Sequence, residues 1–313
     1  MLKIPNHPKI KIDNFLLKLD EKIKIIDKSK LILELDRKKV KDLITNREYR
    51  SYLKENKNPP LKVVKKFLKL YPNLIEDYYY KSLEYTARNK KVRLPIYLNP
   101  KLSYLIGYLH GDGYLTSDKK TYGFIDECKK QLENINLINY TLFGNLGKIR
   151  FQKSQISNLD FPHLEIRQFV VNSYFFNVWN ITRGIKKEFI IPKLFYKNKE
   201  ILRWYLIGLF DAEGSLPKKV ENVKQIFIDL GMNNKEFIYE INRILNEIFD
   251  VKTLKIQQKY STSPTSSKIT TTWEIRIRKY SEISKFLKEI GFHHYEKQIR
   301  ACKLAKYLRT KGL

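Results

Sequence analysis

The chain predicts an α+β fold made of two copies of one αββαββα unit, preceded by a small, mostly helical N-terminal module. Two nine-residue stretches about a hundred residues apart, Leu105–Gly113 and Leu206–Gly214, share one pattern: an apolar helical run, a small residue four positions after a glycine, then a carboxylate followed at once by glycine. Repetition of a whole pattern implies two copies of a supersecondary unit packed together. Strand-like and helix-like segments then follow each stretch in the same order. Residues 1–95 have a different texture, with short basic segments punctuated by Pro59-Pro60 and Pro72.

In that N-terminal part, Asp36 is placed to cap a short helix through Leu43, and Asn46–Leu53 gives a second. Leu61–Leu70 spaces its apolar residues for a third. Such helices make either a helix-turn-helix module or an extension that braces the main body. Lys90–Pro95 reads as the connection. The predicted units are therefore 1–95, 96–198 and 199–313. In the first repeat, the signature run is followed by a strand at Phe124-Ile125-Asp126, a helix near Gln131–Phe143, strands at Ile149–Lys153 and Leu164–Arg167, and a helix at Ser173–Asn180. In the second, the order is Phe227-Ile228-Asp229, Lys235–Phe249, Lys255–Lys259, Trp273–Arg278 and Ser281–Ile290. The strands alternate apolar and polar residues, so half of each faces a core. Ser261–Ser267 is breaker-rich and reads as a long hairpin turn.

Sixty-one Lys and Arg against 33 Asp and Glu leave a formal net charge of +28. That excess points to a polyanion, nucleic acid above all, or to an acidic membrane surface. Hydrophobic residues at 42% and aromatics at 13% exclude disorder. The longest apolar runs are too short for a membrane span, and no secretory signal is evident. Two cysteines, Cys128 and Cys302, exclude a disulfide framework and a cysteine-based zinc site. An intracellular protein is expected, cytoplasmic in a prokaryote or organellar in a eukaryote.

Gly107 and Gly111 share a helical face, as do Gly208 and Ala212, and small side chains there let two helix backbones approach closely. Core packing does not require an acid at the end of each copy. If the helices run side by side, Asp112 and Glu213 become neighbours, and adjacent acids repel unless a metal or shared proton intervenes. Glycine after each acid fits a helix end that needs positive φ, and also lets a bulky ligand approach.

These two stretches, with the strand and helix order after each, resemble the LAGLIDADG homing endonucleases in their monomeric, two-repeat form. The resemblance covers about residues 96 to 310. It implies a saddle of antiparallel sheets over double-stranded DNA, and metal-binding acids at Asp112 and Glu213 with backbone carbonyls at Gly111 and Ala212. His110 departs from the pattern, standing where Asp211 stands in the second copy. The implied cofactor is Mg²⁺, with Mn²⁺ substituting and Ca²⁺ binding without supporting cleavage. The implied reaction is hydrolysis of both strands within a long asymmetric target, leaving 3′ overhangs. A basic residue near each centre carries over best to Lys153 and Lys259, each ending a Gln-Lys segment. Ordinary phosphate contact or a solvated strand end is the alternative for both. Implied DNA-contacting residues are Arg150, Gln152, Arg167, Gln168, Lys255, Gln257, Arg276 and Arg278. Arg167 and Gln168 are adjacent, so only one of them faces the groove in a regular strand. Asp126 and Asp229 also repeat, with base contact, salt bridge and turn all open to them.

The splice-junction residues of an intein are not found at Met1-Leu2-Lys3 or Thr310-Lys311-Gly312-Leu313, so a freestanding or intron-encoded protein is expected. The competing class is a non-cleaving binder on the same fold, either an RNA-binding intron maturase or a DNA-binding protein. Retention of both acids favours the enzyme.

Overall fold

A computed structural model describes residues 4–13, 18–25, 44–53, 57–70, 84–87, 90–153, 160–184, 189–219, 225–262 and 269–312. Its N-terminal part holds strands β1 (Ile10–Lys11) and β2 (Lys24–Ile25), helices α1 (Asn46–Leu53) and α2 (Leu61–Leu70), and strands β3 (Glu84–Ala87), β4 (Lys90–Arg93) and β5 (Tyr97–Leu98). Helix α1 begins at a reciprocal cap: the Thr45 hydroxyl accepts from the Glu48 amide at 3.2 Å, and the Glu48 carboxylate accepts from the Thr45 amide at 2.9 Å. Both helices lie where the sequence places them. The helix expected at Asp36–Leu43 lies outside the described residues. Lys90–Pro95 is not a plain connection, because its first four residues form β4 in an antiparallel sheet ordered β2-β3-β4. The reason is a period-two alternation: Val92 and Leu94 are buried while Lys91 and Arg93 are exposed. Strand β1 pairs with β5, setting Ile10 opposite Leu98 and tying the module to the first repeat.

The first repeat runs α3 (Pro100–His110), β6 (Gly113–Leu115), β7 (Thr121–Ile125), α4 (Lys129–Phe143), β8 (Lys148–Lys153), β9 (Asp160–Arg167) and α5 (Phe169–Trp179). After a 3₁₀ turn at Lys193–Lys197 the second runs α6 (Lys199–Glu213), β10 (Gly214–Ser215), β11 (Ile228–Met232), α7 (Lys235–Glu247), β12 (Gln257–Thr262), β13 (Ile269–Ile277) and α8 (Tyr280–Glu289). The two sheets have the same antiparallel order, β6-β7-β9-β8 and β10-β11-β13-β12. The α+β class and the doubled αββαββα order are thus as the sequence predicts.

Matching caps start the two signature helices. Asn99 accepts from the Leu102 amide at 2.9 Å with Pro100 in the first turn, and Asn198 accepts from the Glu200 and Ile201 amides at 2.9 and 3.2 Å. Both helices are buried on nearly every side, α3 through Tyr104, Leu105, Ile106, Tyr108 and Leu109, and α6 through Tyr205, Leu206, Ile207, Leu209 and Phe210. Each such side chain contributes on the order of 2 kcal/mol by leaving water. Each sheet sends one face to this core: Tyr122, Phe124, Leu164 and Ile166 in the first, Ile228, Leu230, Ile275 and Ile277 in the second. The other faces are open and polar.

A last helix, α9 (Tyr295–Thr310), is absent from the sequence reading. Its buried residues Ala301, Leu304 and Leu308 recur at three and seven positions, a narrow stripe among charged residues. Among the described residues, no helix is long and apolar enough to cross a membrane.

Candidate functional site

The signature helices meet backbone to backbone. A Cβ added at Gly107 would stand 2.1 Å from the Tyr205 carbonyl oxygen, and one added at Gly208 would stand 2.1 Å from the Tyr104 carbonyl oxygen. Each glycine therefore seats against the other helix's tyrosine, one residue before the motif begins. The same tyrosines lock the helices laterally. The Tyr104 hydroxyl donates to the Asp211 carboxylate at 2.8 Å, and the Tyr205 hydroxyl lies 2.6 Å from His110 Nδ1. His110 and Asp211 thus perform one structural task in the two copies, the first with an imidazole and the second with an acid. This cross-helix pairing was missed in the sequence, although a tyrosine precedes both motifs.

The helix ends carry the acids. Helix α3 stops at His110, and Asp112 lies in the following turn with its carbonyl accepting from the Ile125 amide at 2.9 Å. Helix α6 continues through Glu213. A Cβ at Gly111 would lie 2.4 Å from the Ala212 Cβ and 2.9 Å from the Glu213 Cγ, so the second acid's side chain passes over the first copy's Gly111. Gly111 and Ala212 are thus in close register. The glycines after the acids do not serve positive φ, as their position suggested. Gly214 has φ −71°, and Gly113 is not among the positive-φ glycines. They permit the chain to return onto its own helix: added Cβ atoms would sit 2.3 Å from Leu109 Cδ1 and 2.5 Å from the Phe210 carbonyl oxygen.

Between the ends opens a cavity of about 360 Å³ lined by Asp112, Asp126, Asp211, Ala212, His294 and Lys297, among others. Two of these come from the start of α9. Lys297 Nζ donates to the carbonyls of Phe210 at 3.2 Å, Asp211 at 2.6 Å and Ala212 at 2.9 Å. Burial lowers its pKa, opposed by the charges of Asp211, Asp112, Asp126 and Glu213. His294 Nδ1 accepts from the Glu296 and Lys297 amides at 3.2 and 3.3 Å, which leaves Nε2 to carry the proton toward Asp126 at 3.1 Å. Asp126 also accepts from the Tyr108 hydroxyl and, at 2.6 Å, the Cys128 amide. Burial pushes the Asp126 carboxyl up, but the hydrogen bonds from His294, Tyr108 and Cys128 outweigh it and hold the group below its ordinary value. Asp211 behaves oppositely. Fully buried, it is pushed up to about 6, although the His294 and His293 amides, Lys297 and Tyr104 all favour its charged form. Among the described residues, no group of three or more His, Cys, Asp and Glu side chains is arranged to hold a metal ion.

Residues 200–291 match the family model of the LAGLIDADG-like domain. Two curated proteins of Methanocaldococcus jannaschii are similar to this chain. One is a glutamine–fructose-6-phosphate aminotransferase (isomerizing), 29% identical over 184 residues, covering 58% of this chain and 16% of that protein. The other is a replication factor C small subunit, 27% identical over 229 residues, covering 66% of this chain and 12% of that protein. The chain therefore spans less than a fifth of the length of either. Solved structures similar to it include the homing endonuclease I-WcaI bound to its DNA recognition sequence, with TM-score 0.47, 17% identity and coverage of 64% and 85% of the two chains. Full-length DUF199/WhiA from Thermatoga maritima is another, with TM-score 0.45, 13% identity and coverage of 68% and 61%.

Strand register in the two repeats corrects the pairing of basic residues. Gly113 pairs with Phe124, and Phe124 with Leu164; Gly214 pairs with Leu230, and Leu230 with Ile275. Following these pairs outward, Arg150 corresponds to Gln257 and Gln152 to Lys259, because Arg150 faces His163 and Gln257 faces Glu274. Lys153 then corresponds to Tyr260, not to Lys259, and neighbouring positions on a strand point to opposite faces. Asp229 likewise corresponds to Gly123, not to Asp126. Matching by local similarity failed here because the connecting segments of the two repeats differ in length. Neither Lys153 nor Lys259 lines the cavity; Lys297 does.

The open faces hold most of the other named residues. Arg150, Gln152 and Arg167 share that face in the first sheet, while Gln257, Lys259 and Arg276 share it in the second. Lys255 and Arg278 are exposed just outside the strands. Gln168 is not a groove-facing residue: it is buried and caps α5, its side chain accepting from the Val170 amide at 3.3 Å. A carboxylate gathers cations on each face. Glu165 pairs with Arg167 and, at 3.4 Å, with Arg150; Glu274 pairs with Arg276 and Lys259. Arg276 also stacks on the Phe227 ring, 4.3 Å from its centroid.

Proposed function

We propose that the chain is a site-specific double-strand DNA endonuclease whose cutting centre lies at the paired helix ends. The observation that carries this reading is the Glu213 side chain lying across Gly111, the residue before the other copy's acid, Asp112. The open sheet faces, rich in Arg, Lys and Gln, are the proposed DNA-contacting surfaces, with Arg and Gln able to read guanine and adenine edges and the remainder setting register on phosphate. A net charge of +28 supplies the attraction. A stretch shared by two relatives with unrelated names, as a small part of each, also suits a unit that travels as a module.

The donor set suits Mg²⁺, which is held through one or two carboxylates with the rest of its shell from water and substrate phosphates. Asp112 and Glu213 would hold it, with the Gly111 carbonyl beside them. The Ala212 carbonyl fits less well, because it already accepts from Lys297. When bound, the ion would activate water and stabilise the leaving oxygen. The chain's own part is to fix the acids on interlocked helices, to bury the carboxylates Asp126 and Asp211 behind them, and to offer positive charge to the phosphate backbone.

Cleavage of a randomised duplex library with Mg²⁺, then with Ca²⁺ or EDTA, tests this reading. The expected result is one long asymmetric site, cut only with Mg²⁺ or Mn²⁺ to leave 3′ overhangs. Asp112→Asn or Glu213→Gln should lower cutting by about 100-fold or more while binding persists. Tight binding without cutting would move the assignment to a DNA-binding protein on this fold, the second reading. Lys297 is the observation that favours that reading, since its ammonium offsets the carboxylates without any divalent ion.

A further inference from the structure

We infer that Lys297 is a fixed monocation of the cutting centre, which holds the Ala212 side of the acidic cluster and leaves the divalent ion to the Asp112 side. This rests on the endonuclease reading. An ammonium has three N–H donors, and Lys297 directs them at three successive carbonyls, those of Phe210, Asp211 and Ala212. Its protons are thereby committed, so the residue acts through its charge and not as a proton donor. The three carbonyls belong to the last turn of α6, where a cation also complements the helix dipole. Asp112, Asp126, Asp211 and Glu213 all act electrostatically on it. An ion approaching the Ala212 carbonyl must first displace the lysine.

Among the described residues, the arrangement belongs to one half only. Lys297 sits in the first turn of α9, anchored by His294 and by the Asp211 carboxylate, which accepts from the His293 amide at 2.9 Å. Between α5 and α6, the described residues offer only the 3₁₀ turn at Lys193–Lys197 in the corresponding stretch. Among the described residues, the first copy thus has no helix equivalent to α9 at its acid. Two sites related by sequence therefore differ in charge, one with a resident cation and one that recruits its own.

Terbium luminescence, sensitised by neighbouring tyrosine and tryptophan, counts the ions in the full chain. The wild type should take one Tb³⁺, lost in Asp112→Asn, and Lys297→Met should take two. Thermal melts in EDTA form a second, metal-free arm. Lys297→Met should lower Tm by about 5 °C or more, and adding Glu213→Gln to it should recover part of that loss. An unchanged ion count, together with a Tm loss that Glu213→Gln does not relieve, overturns the assignment of Lys297. Absence of Tb³⁺ binding in every variant instead sinks the endonuclease reading and the divalent half of this proposal.

Discussion

The two signature helices agree where backbone meets backbone and differ where charge is placed. Gly107 and Gly208 each press on the other helix's tyrosine carbonyl at the same 2.1 Å Cβ distance. At the far end, α3 stops at His110 and sets its acid in a turn, while α6 carries its acid in the last helical position and receives Lys297 on its terminal carbonyls. Contacts between backbones admit few solutions, so both copies keep glycine. The charge beside them is held by side chains, which can diverge. The first copy therefore uses His110 where the second uses Asp211, and among the described residues only the second has a helix such as α9 behind it.

Breaking the shared part should give the largest effect, and an equal one in both halves. Gly107→Ala and Gly208→Ala each drive a methyl into a carbonyl oxygen that belongs to the opposing helix and cannot rotate away. Each is expected to cost about 3 kcal/mol by denaturant unfolding, at the upper end of overpacking effects. A tolerated alanine in one copy alone would show that the helices separate more readily on that side.

The unshared part can be probed through His293, which precedes α9 and packs its ring on Trp204 with centroids 4.6 Å apart. Burial, and then the charge of Arg203, press its pKa down from 6.5 to about 4. The unfolded chain takes up this proton at higher pH than the folded one. The contribution is therefore complete above about pH 6.5 and is lost as pH falls through the interval down to about 4. His293→Phe keeps a ring there and removes the titration. Its stability relative to wild type should improve by about 2 kcal/mol between pH 7 and pH 4. Parallel pH profiles for the two proteins would show that His293 does not titrate differently on folding.

A finer comparison sets Tyr104→Phe beside Tyr205→Phe. The first removes a donor to the buried Asp211 carboxylate and is expected to cost about 2 kcal/mol; the second removes the partner of a His110 ring nitrogen and is expected to cost about 1 kcal/mol. Equal losses in urea melts would mean that the imidazole and the carboxylate are interchangeable at this position.

Much of this architecture was legible in the sequence because the repeat doubles every signal. The Gly-x-x-x-small spacing foretold the helix contact, and the alternation of strands such as Leu164–Arg167 foretold which sheet face is buried. The acids were legible as a pair, since neither would stand out alone. What stayed hidden depends on residues distant in sequence. Lys297 is one lysine among many in a helix with a narrow apolar stripe, and nothing local marks it as lying under Ala212. The role of Gly113 and Gly214 was misread because φ and close approach make the same demand for glycine. The strand pairing of Lys153 with Lys259 failed for a related reason. Two similar dipeptides suggested one alignment, and the hydrogen-bonded ladder imposes another.

That register correction makes the smallest of these predictions. Lys259 lies on the open face of the second sheet, as Gln152 does in the first, and its ammonium contacts Glu274. Lys153 ends β8 opposite Asp160, one position out of phase with that face. Lys259→Gln should therefore reduce the slope of log affinity against log salt on duplex DNA by up to about 0.9, the share of one phosphate contact, whereas Lys153→Gln should leave it nearly unchanged. The Glu274 pairing makes the full value an upper limit, because binding must draw Lys259 away from a carboxylate it already holds. Matching slope changes for both lysines would mean that they meet the phosphate backbone alike, and that the open face extends past the end of β8.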